Sequence, residues 1–120
     1  MRKNENVIKD KSKAFAIRVV RMCQYLQNDK KEFVMSKQIL KSGTSIGANI
    51  REALRGQSIP DFYAKLSISL KEAEETCYWL ELLHETDYLS DDMFQSMYSD
   101  AEELLKLLVS ITKTLRNKVK

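Results

Sequence analysis

A chain of 120 residues, 43% of them hydrophobic and 31% charged, can bury its own core, and we expect residues 1–120 to form a single domain. Three Gly and one Pro are too few for the many tight turns of an all-β fold. No apolar run reaches the roughly 20 residues of a membrane span, and the N-terminus lacks a signal-peptide pattern, so we expect a cytoplasmic protein with no membrane partner.

The net charge is only +3, but it is unevenly distributed. Residues 1–30 hold eight Lys or Arg against three Asp or Glu, and residues 31–57 hold five against two. Residues 58–87 hold two against seven, and residues 88–120 hold five of each. A surface polarised in this way can bind polyanions or a second copy of the chain, or it can simply be solvated.

The first two predicted helices carry apolar stripes with alternating steps of four and three residues, the spacing of a helical bundle. The first stripe is Ile8, Ser12, Phe15, Val19, Met22 and Leu26, and it ends near the polar turn Asn28-Asp29-Lys30. The second stripe is Ile39, Gly43, Ile46, Ile50 and Ala53. Ser36 is the predicted N-cap of the second helix, and Gly56 is its predicted stop signal.

The other two predicted helices open with cap signals. Ser58, Pro60 and Asp61 start the third, and Ser90 followed by two carboxylates starts the fourth. The third stripe is Phe62, Leu66, Ser69, Ala73, Thr76, Leu80 and Leu83, and the fourth is Phe94, Met97, Ala101, Leu104, Leu108, Ile111 and Leu115. Four helices of 20 to 30 residues joined by short loops predict an antiparallel up-down-up-down four-helix bundle.

The second helix also carries a glycine pair and a polar row. Gly43 and Gly47 each cost about 1 kcal/mol of helix stability relative to Ala, which predicts the close approach of another helix. The polar row consists of Ser42, Ser45, Asn49 and Glu52. It faces either solvent or a buried seam, and such a seam would lie inside the bundle or between subunits. Glu72 and Glu75 of the third helix are candidates for pairing with Arg51 or Arg55 across a helix contact. The candidate interface residues are Ser42, Gly43, Ser45, Gly47, Asn49, Glu52, Glu72 and Glu75.

Catalytic patterns are weak in this sequence. A di-iron bundle needs two Glu-x-x-His motifs, and the single histidine allows only one, at Glu81 and His84. The segment from Ser42 to Gly47 lacks the Gly-Lys-Ser/Thr ending of a phosphate-binding loop and lies in a helical pattern. Cys23 and Cys77 are expected in the core. We therefore predict no enzyme, no catalytic residue, no metal and no cofactor.

The basic residues of the first half are the candidate nucleic-acid-binding residues. They are not interleaved with aromatic residues, so any contact is expected to be with phosphates and to be sensitive to salt. The alternative is solvated or ion-paired lysines and arginines. The candidates are Lys9, Lys13, Arg21, Lys37, Lys41, Arg51 and Arg55.

The segments from Ser42 to Glu52, from Lys65 to Glu75 and from Tyr78 to Leu82 resemble the family of small four-helix-bundle proteins encoded in intervening sequences of 23S rRNA genes. This resemblance covers residues 12 to 118 and implies a homopentamer. The family is similar to the accessory variability determinant of diversity-generating retroelements, a basic pentamer that binds nucleic acid and a reverse transcriptase. The resemblance thus implies self-association, RNA or DNA, and a reverse transcriptase as partners.

Two functions are therefore expected from the sequence. The first is a non-enzymatic homo-oligomeric bundle that binds RNA or DNA through a basic surface. The alternative is a protein-interaction or scaffold bundle with no nucleic-acid role, in which the opposite charges of residues 1–30 and 58–87 serve subunit contacts.

Overall fold

The computed structural model describes residues 3–119, and these residues form the four predicted helices. The helices are α1 (Lys3–Asn28), α2 (Met35–Leu54), α3 (Ile59–Glu85) and α4 (Asp91–Val119). Their lengths of 26, 20, 27 and 29 residues confirm the predicted range. Within the described chain, no helix is both long enough and apolar enough to cross a bilayer.

The helices form an antiparallel bundle in which α1 packs on α2 and α4, and α3 packs on α2 and α4. In each of these contacts the residue numbers rise along one helix as they fall along the other. Such pairs are Ser12 with Gly47 and Val19 with Gly43 between α1 and α2, Ser42 with Thr76 and Glu52 with Lys65 between α2 and α3, and Glu81 with Tyr98 and His84 with Asp91 between α3 and α4. The predicted all-α up-down-up-down bundle is therefore confirmed.

The core consists largely of the predicted stripes. Phe62 and Phe94, at the starts of α3 and α4, are only partly buried, and a further deviation lies near the end of α4. All residues of the first two stripes are buried. In α4, Thr112 is buried at 8% exposure, whereas the predicted Ile111 is only partly buried. A straight helix drifts by about 20° per heptad from a strict seven-residue repeat, which moves the buried position by the end of a long helix. The Thr112 hydroxyl donates to the backbone oxygen of Leu108 at 2.8 Å, so this polar group has a partner.

The predicted N-caps of α3 and α4 are confirmed. Ser58 Oγ accepts a hydrogen bond from the backbone N–H of Asp61 at 3.2 Å. Ser90 Oγ accepts one from the backbone N–H of Met93, also at 3.2 Å. Each hydroxyl therefore satisfies one of the free N–H groups in the first turn of its helix.

The predicted cap of α2 is wrong. Ser36 lies inside the helix, is fully buried, and donates its hydroxyl to the backbone oxygen of Glu32 at 2.8 Å. The Glu32 carboxylate instead accepts from the backbone N–H groups of Val34, Met35 and Ser36 at 3.1, 2.9 and 2.7 Å. Burial raises the pKa of Glu32, but these hydrogen bonds lower it by more, and the resulting pKa lies below the ordinary value.

Candidate nucleic-acid interface

The two glycines of α2 lie where α1 and α2 approach each other closely. A Cβ atom added to Gly43 would lie 2.8 and 2.9 Å from the two γ-carbons of Val19. One added to Gly47 would lie 3.3 Å from Ser12 Oγ and 3.5 Å from the backbone carbonyl carbon of Ser12. The predicted close approach is therefore made by α1 of the same chain. Packing within one bundle accounts for both glycines, so neither of them requires a second subunit.

The close approach leaves a shallow groove of about 170 Å³ on the outside of the α1–α2 contact. Lys13 from α1 and Arg51 from α2 both line it, and both side chains are exposed. The other lining residues are small, so they leave the two cationic groups accessible. These are Ser12, Ala16, Thr44, Gly47 and Ala48.

The basic residues of α2 extend this groove into a longer stripe. Lys37, Lys41 and Arg51 share a helical face with Thr44 and Ala48, because these positions follow one another in steps of four and three. From Lys37 to Arg51 the stripe is about 21 Å long at 1.5 Å per residue. Arg55 follows as the residue after the last turn of α2, and Lys9 lies one turn before Lys13 on α1. We name this set the α1–α2 basic face: Lys9, Lys13, Lys37, Lys41, Arg51 and Arg55.

The cations of the α1–α2 basic face form no ion pair among residues 5–119. The ion pairs of Lys and Arg in this part of the chain lie elsewhere. They join Lys11 to Glu103 and Arg18 to Asp100 between α1 and α4, and Lys65 to Glu52 between α2 and α3. Glu52, the sequence neighbour of Arg51, is thus directed towards α3. The charge of Lys41 also acts on Glu72 of α3, although the two side chains form no ion pair.

Arg21 lies apart from the other six predicted basic residues. It lines a different groove, between α1 and α4, together with Met93 and Met97 of α4. The structure therefore brings six of the seven predicted residues to one face and places the seventh on another side of α1.

The polar row of α2 passes from the interior to the surface. Ser42 is fully buried, and its hydroxyl lies 3.0 Å from the hydroxyl of Thr76 on α3. Ser45 and Asn49 are half-buried and donate to backbone oxygens of α2 itself, while Glu52 is exposed. The row is thus a buried seam at one end and a solvated face at the other.

Two residues of this seam were predicted only as members of the third apolar stripe. Ser69 is fully buried and donates its hydroxyl to the backbone oxygen of Ile46 at 2.8 Å, and Thr76 meets Ser42. The signal that could have identified them is a polar residue at a stripe position. Among the described side chains, no buried polar atom lacks a hydrogen-bond partner.

The predicted pairing of Glu72 and Glu75 with Arg51 or Arg55 is wrong. Contacts between Ser42 and Thr76 and between Ile46 and Ser69 set the antiparallel register of the two helices. This register places Glu72 and Glu75 more than one turn from the two arginines. Instead, Glu75 accepts a hydrogen bond from Trp79 Nε1 at 3.1 Å. Burial and the charge of Glu75 raise the pKa of Glu72, and the charge of Lys41 partly offsets this rise.

Glu81 and His84 bind different neighbours on α4. Glu81 accepts a hydrogen bond from the hydroxyl of Tyr98 at 2.8 Å. His84 Nε2 lies 2.7 Å from Asp91 Oδ1, and its ring stacks on Phe94 with the centroids 4.2 Å apart. Across the described residues, no group of three or more His, Cys, Asp or Glu side chains is placed to hold a metal ion.

The two cysteines are buried, as predicted. Burial raises the pKa of Cys23 and of Cys77 to about 11. Cys23 also donates its thiol to the backbone oxygen of Ser36 at 3.3 Å. Both thiols are therefore protonated at neutral pH, which makes them poor nucleophiles.

These features define a class of protein, an all-α bundle of four antiparallel helices. The chain matches the family described as the 23S rRNA-intervening sequence protein over residues 4–110, and it belongs to this family.

A solved structure supports the same assignment. The chain is 58% identical to a protein with unknown function from the S23 ribosomal protein family of Bacteroides thetaiotaomicron VPI-5482, whose crystal structure was determined at 1.70 Å. The similarity covers 92% of this chain and 98% of that one, with a TM-score of 0.90. No curated protein matches the chain.

Proposed function

We propose that this protein is a non-enzymatic, homo-oligomeric four-helix bundle that binds RNA or DNA through the α1–α2 basic face. The observation that supports this proposal is that six cations lie on one face and none of them forms an ion pair with a carboxylate of residues 5–119. Nucleic-acid phosphates supply the negative charge that this face lacks. A cytoplasmic location and assembly as a pentamer, which the family resemblance implies, are parts of the same proposal.

The geometry of the face fits a run of backbone phosphates rather than a set of bases. A stripe of about 21 Å is long enough to contact several backbone phosphates, whose rise along a duplex is about 3.4 Å per strand. The described lining of the groove contains no aromatic ring on which a base can stack. Binding is therefore expected to depend on phosphate contacts, with strong salt dependence and little sequence selectivity.

Structured RNA is the first ligand to test, because the family takes its description from intervening sequences of 23S rRNA. A gel-shift titration of the purified protein at low and at moderate salt measures this binding. We expect a retarded complex at low salt that weakens as salt is added. No shift at low salt with structured RNA contradicts the proposal.

A charge reversal locates the binding surface. Arg51→Glu combined with Arg55→Glu removes two cations of the α1–α2 basic face, and Lys106→Glu combined with Lys113→Glu makes the same charge change at exposed positions of α4. We expect the first variant to lose RNA affinity by at least tenfold and the second to lose much less. Circular dichroism checks that both variants stay helical.

The second candidate function, a scaffold without a nucleic-acid role, is favoured by the exposed apolar side chains of the bundle, such as Ile17 and Tyr78 at 51% and 55% exposure. The arginine reversal distinguishes the two functions when the molar mass is measured as well. If assembly is lost, the arginines belong to a subunit contact. If assembly persists and RNA binding falls, they belong to a nucleic-acid surface.

A further inference from the structure

A second groove, between α1 and α4, is apolar and has a volume of about 530 Å³. Arg18 in this groove is tied to Asp100 and to the backbone oxygen of Ser96. Arg21 is exposed and has no ion-pair partner among residues 5–119. The groove therefore combines an apolar lining with one accessible cation. Its apolar lining residues are Ile17, Met22, Tyr25, Met93 and Met97.

The outward side of α3 has the complementary composition. Ile68 and Tyr78 are 42% and 55% exposed, and the Tyr78 ring packs edge-on against Trp79 with the centroids 5.3 Å apart. The surrounding charges are mostly negative, because three exposed glutamates accompany a single lysine. We name this set the α3 outer face: Ile68, Lys71, Glu74, Glu75, Tyr78 and Glu85.

We infer that the α3 outer face of one copy docks into the α1–α4 groove of a second copy. The inference rests on the self-association part of the proposed function and identifies its two surfaces. The acidic face and the cation-bearing groove are opposite in charge and are both present on every chain. A chain cannot join them by itself, because α1 and α3 lie diagonally across the bundle with no close approach of their backbones.

The chemistry of the two surfaces suits this contact. Tyr78 is an aromatic side chain held in place by Trp79, and aromatic residues of this kind commonly supply most of the energy of an interface. Met22, Met93 and Met97 line the groove, and flexible methionines adapt to an inserted side chain. Arg21 meets Glu74 and Glu75 in this arrangement. Because the two surfaces differ, the contact is head-to-tail, which builds either a ring or an open filament.

Two matched substitutions test the inference. Ile17→Asp alters the groove, and Tyr78→Asp alters the α3 outer face. Val109→Asp is the control, because Val109 is 46% exposed on α4 and lines neither surface. By sedimentation velocity we expect wild type and the control to form oligomers, and each of the other two variants to sediment with the mass of one chain. Circular dichroism confirms that the helices are retained.

Mixing the two blocked variants gives the sharpest result. The Ile17→Asp chain keeps an intact α3 outer face, and the Tyr78→Asp chain keeps an intact groove. An equimolar mixture should therefore form a complex of two chains that grows no further. Monomers in the mixture, or oligomers in either single variant, overturn the inference.

A charge exchange provides an independent check on the same contact. Arg21→Glu should weaken assembly at least tenfold, and adding Glu75→Arg to the same chain should restore it. Failure of this rescue, or a monomeric wild type, also overturns the inference. Neither result bears on RNA binding by the α1–α2 basic face, which the gel shift measures separately.

Discussion

Replacing Gly43 with Ala tests the close packing of α1 on α2. A helical Ala gains about 1 kcal/mol over Gly from intrinsic propensity. The new methyl group, however, would lie 2.8 and 2.9 Å from the γ-carbons of Val19, closer than an ordinary van der Waals contact. Val19 is fully buried and β-branched, so these carbons cannot rotate aside. Overpacking of this kind costs about 1–3 kcal/mol, and we expect a net loss of about 1 kcal/mol.

Gly47→Ala is the matched control for this substitution. The added carbon meets Ser12 Oγ at 3.3 Å, a contact that a small shift relieves. We therefore expect Gly47→Ala to be neutral or to stabilise the protein by up to about 1 kcal/mol.

Urea unfolding followed by circular dichroism measures both variants, at several protein concentrations so that any contribution of the proposed self-association is separated. In a Val19→Ala background the overpacking is removed, so Gly43→Ala should be about 2 kcal/mol more favourable than in wild type. Equal stability of Gly43→Ala and Gly47→Ala, or an unchanged cost of Gly43→Ala in the Val19→Ala background, refutes the role of this contact.

Two further predictions concern buried polar groups. Glu32→Gln should destabilise the fold by about 1 kcal/mol at pH 7, because a neutral amide accepts the three N–H bonds less strongly than a carboxylate, whereas exposed Glu52→Gln should change little. The lowered pKa of Glu32 means that its contribution is complete above the unfolded value of about 4.3 and is lost as the pH falls through the folded value. The difference between wild type and Glu32→Gln in urea midpoint should therefore shrink between pH 7 and pH 3, and a constant difference contradicts this role. Thr76→Val should lower the free energy of unfolding by about 1 kcal/mol, because it removes the hydrogen-bond partner of Ser42. Adding Ser42→Ala should recover part of that loss. If the costs of the two substitutions add fully, the contact between Ser42 and Thr76 does not have this role.

The stripes and most caps could be predicted from the sequence because they depend on local spacing. The start of α2 could not, since Glu32 acts from outside the helix and is not among the usual capping residues. The shift from Ile111 to Thr112 arises from helical drift, which a strict heptad pattern omits.

The candidate site was predictable in part for the same reason. Steps of three and four place Lys37, Lys41 and Arg51 on one face of α2, and this spacing is a property of the helix alone. The register between helices is a tertiary property, and therefore Glu72 and Glu75 were assigned to the wrong partners. The sequence likewise predicted a helix close to Gly43 without indicating that this helix is α1 of the same chain.

The salt dependence of RNA binding tests the proposed function most directly. Each phosphate contact adds about 0.9 to the slope of log affinity against log salt concentration for a duplex. Four to six contacts by the α1–α2 basic face predict a slope of about −4 to −5 for wild type. Arg51→Glu with Arg55→Glu should make the slope shallower by about 2, and Lys106→Glu with Lys113→Glu should leave it unchanged. Absence of binding at low salt, or equal slopes for the two variants, contradicts the proposed role of this face.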